Sequence, residues 1–167
     1  MHYSEFLKKF KEICEKHVED GRARAFAFIF YDSLHGSIRR ALKEADGYRI
    51  LNEETGSDMT LFYMHASSVD QVGSSFNRNF LKILNVEDQI SAPCIVFFRI
   101  AGTNIEDIDF RQLAENLGDS CLIVEDIRRY LKEYLKRLDV QGNISGITWI
   151  GSKGLLGMLA KVCRPDN

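Results

Sequence analysis

The chain has 167 residues, 45% of them hydrophobic and 28% charged, the balance of an ordinary globular domain rather than a disordered chain. Its 22 basic and 24 acidic residues leave a net charge of −2, which excludes the basic surplus a general nucleic-acid binder needs. The longest purely apolar run, Ala25–Tyr31, is too short to cross a bilayer. The N-terminal stretch alternates charge and does not read as a leader, so a cytoplasmic protein with free thiols and no membrane span is expected. The four cysteines, Cys14, Cys94, Cys121 and Cys163, stand at least 27 residues apart, which gives neither a CxxC nor a zinc spacing.

The first segment reads as an amphipathic helix over 1–21, with Ser4 as cap and Phe6, Leu7, Phe10, Ile13, Cys14 and Val18 on its apolar stripe. His17 at the edge of that stripe reads as a packed histidine. Arg24–Asp32 is apolar on both parities, as a strand covered on both faces should be. Asp32 or Ser33 is expected to cap the next helix, which turns Ile38, Ala41, Leu42 and Ala45 inward and stops at Gly47. Tyr48–Leu51 then reads as extended and 52–58 as a polar loop. Met59–Ala66 is a second central strand. A polar stretch over 67–75 leads into a helix marked by Phe76, Phe80, Leu81, Ile83 and Leu84.

Pro93 precedes a third buried strand, Cys94–Ile100, and a turn at Gly102–Asn104 joins it to the more exposed Ile105–Phe110. A long helix opens at Asp119 or Ser120, with Val124, Ile127, Leu131, Tyr134 and Leu138 as its seam. The C-terminal extension, 139–167, carries glycines at 142, 146, 151, 154 and 157. It predicts a strand over 144–150 and a short helix over 153–162, covering an edge of its own domain or pairing with a second copy of the chain. Gly146–Lys153 is no phosphate loop, because the Gly-Lys-Ser order is reversed and the intervening positions are apolar. Between Asn85 and Asp126 nine acidic residues face two arginines, which predicts a solvated face or a surface for a basic partner.

This β-α-β-α-β-β-α order, with Pro93 directly before the hairpin, resembles the thioredoxin-like superfamily over about residues 22–138. The resemblance implies an α/β fold: a thioredoxin-like three-layer sandwich with a mixed central sheet, flanked by the N-terminal helix and an extra C-terminal strand and helix. All of it forms one domain over 1–167. It also implies a cis Ala92–Pro93 bond facing the Asp32–Ser37 loop, where the family carries its catalytic cysteines. Here that place holds Asp32, Ser33, Leu34, His35, Gly36 and Ser37. Serine cannot replace a thiolate in disulfide exchange, so a dithiol oxidoreductase is not expected. Glutathione transferases share the fold and use a Tyr or Ser near the first strand, where Tyr31, Ser33 and Ser37 lie, but the residues after Leu138 cannot supply their helical second domain. Asp32, Ser33 and His35 stand too close on one turn to form a nucleophilic relay.

The reading that follows is a redox-inactive module binding a protein or peptide through Ser33, Leu34, His35, Gly36, Ser37, Ala92 and Pro93. It needs no cofactor and no metal, and the proline edge is expected to offer free backbone groups to an extended peptide. The alternative is a thiol enzyme or redox sensor using Cys94; the plainer reading of Cys94, and of Cys121, is a buried small hydrophobe. Cys163 reads as exposed.

Overall fold

A computed structural model of the chain describes residues 24–44, 46–56, 58–66, 77–82, 84–101, 104–115, 119–140 and 148–151, with Lys8, Lys11 and Glu12. In chain order the elements are β1 (Arg24–Asp32), α1 (Gly36–Lys43), α2 (Gly47–Thr55), β2 (Met59–Ala66), β3 (Cys94–Ala101), β4 (Asn104–Gln112), α3 (Ser120–Val140) and β5 (Thr148–Gly151). Residues 77–82 are also helical, as are the described residues of the first predicted helix, Lys8, Lys11 and Glu12.

The strands form one mixed sheet in the order β2-β1-β3-β4-β5. β1 and β2 run parallel in the register Ala25↔Met59 to Asp32↔Ala66. β3 returns antiparallel to β1, with Phe30 opposite Cys94 and Phe26 opposite Phe98. β4 is antiparallel to β3, and β5 extends the sheet through Ile105↔Thr148 and Asn104↔Gly151. The protein is therefore a mixed α/β protein.

Side chains alternate across a strand, so β1 feeds two cores. Phe26, Phe28 and Phe30 face Phe62, Phe80, Val96 and Phe98. Phe28 lies at the centre of this layer, with ring centroids 4.7 Å from Phe80, 5.0 Å from Phe62 and 5.3 Å from Phe98. Each such buried ring contributes about 2–3 kcal/mol by area alone. The opposite parity, Ala25, Ala27, Ile29 and Tyr31, packs under α1, α2 and α3 through Ile38, Leu42, Leu51, Val124, Ile127 and Leu131.

Several expectations need correction. Tyr48–Leu51 is helical rather than extended, and the polar residues 52–55 continue the same helix. Gly47 starts that helix instead of ending the previous one. A Cβ there would lie 2.5 Å from the Ala41 carbonyl oxygen and 3.1 Å from Val124 Cγ2, so glycine is what lets α2 begin against both α1 and α3. The expected 144–150 strand is described only as Thr148–Gly151. The stretches 67–76, 102–103, 141–147 and 152–167, with the predicted helix at 153–162 and Cys163, lie outside the described residues, as does Cys14.

Candidate functional site

The Asp32–Ser37 loop leaves the C-terminal end of β1 and enters α1. Asp32 Oδ1 accepts the Leu34 N–H at 2.8 Å, and the Asp32 carbonyl accepts the His35 N–H at 3.2 Å. His35 Nδ1 accepts the Asp32 N–H at 3.0 Å and lies 2.9 Å from Asp32 Oδ1.

These bonds overturn the expected cap. Asp32 spends its carboxylate on a turn two residues on, in the manner of an Asx-turn, so the N-cap of α1 is His35, which makes no side-chain capping bond. Ser33 Oγ is buried without a hydrogen-bond partner among the described residues. The turn tucks His35 inward and pushes Leu34 outward to 78% exposure, the most exposed large apolar side chain described. Beside it a Cβ on Gly36 would meet nothing within 4 Å.

Ala92–Pro93 is cis. Because Cys94 pairs with Phe30, the residues just before it stand at the same end of the sheet as Tyr31 and Asp32. No hydrogen bond joins Ala92 or Pro93 to the Asp32–Ser37 loop among the described residues. The Pro93 carbonyl is not free: it accepts the Leu113 N–H at 3.0 Å and Gln112 Nε2 at 2.7 Å. A docking peptide would have to use other backbone groups.

Cys94 is fully buried in the phenylalanine layer, and burial pushes its thiol up to about 12. A thiol of that kind is not ionised at neutral pH and is a poor nucleophile. Cys121, by contrast, is exposed, and its N–H donates to Asp119 Oδ1 at 2.8 Å. The helix seam itself carries the signal for this: with Ile123, Val124, Ile127 and Leu131 inward, position 121 falls on the outer side.

Sequence reasoning missed an aromatic group on the helix-covered side of β1 and β2. The His65 ring lies parallel to Tyr31, centroids 5.0 Å apart at 8°. Tyr31 Oη and Tyr48 Oη are 3.0 Å apart, and Tyr48 meets Tyr63 edge-on at 4.5 Å. Burial lowers the His65 pKa below the usual histidine value, and the positive charges of Lys43 and Arg39 lower it further. The β1–β2 register brings Tyr31 and His65 together, and no local pattern in the sequence marks that pairing.

The acidic stretch is less open than expected. Arg99 lies 2.9 Å from Asp107 and 3.2 Å from Glu106. Asp109 meets Arg111 and Arg137, each at 2.6 Å, and Glu125 and Asp126 pair with Arg128 and Arg129 on α3. Five of the nine acidic residues are neutralised in this way, while Glu87, Asp88, Glu115 and Asp119 make no ion pair among the described residues.

Among the described residues no group of three or more His, Cys, Asp or Glu is placed to hold a metal ion. No helix among them is long and apolar enough to cross a membrane. Comparison with protein-family models, with curated proteins and with solved structures finds no match to this chain.

Proposed function

We propose that the chain is a thioredoxin-like module without redox activity that binds a protein or peptide segment. The fold reading draws support from the β-α-β half and the β-β-α half meeting through antiparallel β1 and β3, with Pro93 at the entry to β3. The observation that carries the binding reading is Leu34. Where the family carries its thiols, this chain fixes a turn by backbone and carboxylate hydrogen bonds and uses it to hold an apolar side chain out in water. A pre-formed turn carrying one exposed apolar anchor suits recognition, because little conformational freedom is lost on binding. The thiol-enzyme alternative is disfavoured by the burial of Cys94.

A displayed library of random peptides selected on the full chain tests this directly. Enriched peptides should bind the wild type and lose about tenfold or more in affinity to Leu34→Asp, a variant expected to unfold at the same urea concentration. Peptides bound equally well by Leu34→Asp would overturn the site. Insulin reduction by dithiothreitol should proceed at the uncatalysed rate, and clear turnover lost in Cys94→Ser would restore the thiol enzyme.

A further inference from the structure

The helix that follows Leu34 exposes a run of basic side chains beside the candidate loop. α1 turns Ile38, Ala41 and Leu42 into the core, carries no acidic residue in its first turn, and exposes Arg39, Arg40 and Lys43. None of these three meets a carboxylate among the described residues. Arg49, Arg99, Arg111, Arg128, Arg129 and Arg137 each have one within 4 Å, whereas Arg78, Lys82 and Lys136 are exposed without one among the described residues but stand away from Leu34 in the chain. The nearest acids in the segment do not compensate: Asp32 is turned back onto Leu34 and His35, and Glu44 makes no ion pair with α1 among the described residues.

Arg40 and Lys43 lie in the last turn, where cations complement the helix dipole. That accounts for a basic helix end, and Arg39 directly precedes that turn. Arg39 and Lys43 stand four residues apart and so share one flank of the helix. From Gly36 to Lys43 the helix rises about 10 Å, the length of about three extended residues.

We infer that the segment bound by this module is an acidic extended peptide, its apolar residue against Leu34 and its carboxylates against Arg39 and Lys43. The inference rests on the binding reading above and adds the chemistry of the partner. Charge complementarity of this kind sets partner choice and encounter rate more than raw affinity. A nucleic acid fits less well. The cations are few, the chain is acidic overall, and Tyr31 is buried against His65, which leaves its ring closed to a base.

The test uses the full chain with three labelled probes: a short peptide of Glu and Ser around one Leu, the same peptide with Lys for Glu, and a short oligothymidylate. Fluorescence anisotropy should show the Glu peptide binding about tenfold or more tightly than the Lys peptide, with affinity falling as salt rises. Arg39→Glu with Lys43→Glu should reverse that preference, and Leu34→Asp should weaken both peptides. If the double variant fails to fold by circular dichroism, Arg39→Gln with Lys43→Gln serves instead and should abolish the preference. Equal affinity for the two peptides, still sensitive to Leu34→Asp, would overturn the acidic partner and leave the binding module standing. No binding of either peptide would overturn both. Oligothymidylate binding as tightly as the Glu peptide, and displacing it, would replace the peptide with a phosphate polymer.

Discussion

His65 lies flat against Tyr31, its ring 5.0 Å away and 8° from parallel. The two residues are direct partners across the parallel β1–β2 pair. Burial, then Lys43 and Arg39, hold the imidazole below its ordinary pKa, against a weaker pull from Asp32. The unfolded chain therefore binds a proton at higher pH than the folded one. By linkage, stability is complete above the ordinary histidine range and is lost as pH falls through that range to the lower folded value. His65→Phe keeps an aromatic ring on Tyr31 and removes the proton. Urea midpoints measured from pH 7.5 down to pH 5 should fall less for His65→Phe than for wild type; parallel curves would refute the assignment.

Asp109 behaves in the opposite sense. Burial alone would raise its pKa, but the Arg137 hydrogen bond, the Phe110 N–H and the charges of Arg137 and Arg111 prevail and lower it. Its contribution is present above the ordinary carboxylate range and disappears as pH falls through the depressed folded value. Arg111 and Arg137 are more than a third exposed, so solvent screens the network. Asp109→Asn should cost about 1–2 kcal/mol at neutral pH, and its deficit relative to wild type should shrink in acid. A neutral-pH loss below the error of the unfolding curves would show that the ion pairs contribute nothing.

Two glycines should respond in opposite directions. Gly47→Ala forces a methyl onto the Ala41 carbonyl and the Leu42 Cα, at 2.5 and 3.0 Å. Backbone cannot step aside there as a side chain would, so a loss of about 2–3 kcal/mol is expected. Gly36→Ala meets open space and should be neutral, or stabilise by about 0.5 kcal/mol through a stiffer unfolded chain. Thermal unfolding of the two variants side by side checks both.

Native alkylation should separate two cysteines. Brief iodoacetamide treatment followed by peptide mass mapping should label Cys121, which is exposed, and leave Cys94 unmodified until denaturant is added. Cys94 is both inaccessible and protonated, with its thiol pushed up to about 12 by burial, and alkylation needs an accessible thiolate. Rapid native labelling of Cys94 would reopen the thiol-dependent reading.

The sequence by itself marked the three central strands. Arg24–Asp32, Met59–Ala66 and Cys94–Ala101 are apolar on both parities, and a segment that must bury both faces has few options besides a central strand. The α3 seam was equally legible, because its apolar spacing persists over the whole helix. Tertiary structure decided what local pattern could not. Tyr48–Leu51 has the side chains of a strand, yet it is helical because Gly47, lacking a Cβ, can start α2 against α1 and Val124. The place of the candidate loop followed from element order, but its shape did not. Asp32 closes a turn instead of capping α1 because its carboxylate accepts the Leu34 N–H and His35 Nδ1 accepts the Asp32 N–H, bonds that either cap candidate leaves open in the sequence. Likewise Asp109 and Arg137, 28 residues apart, become partners only when α3 lies across β4. Such pairings depend on three-dimensional distance, which composition and periodicity do not encode.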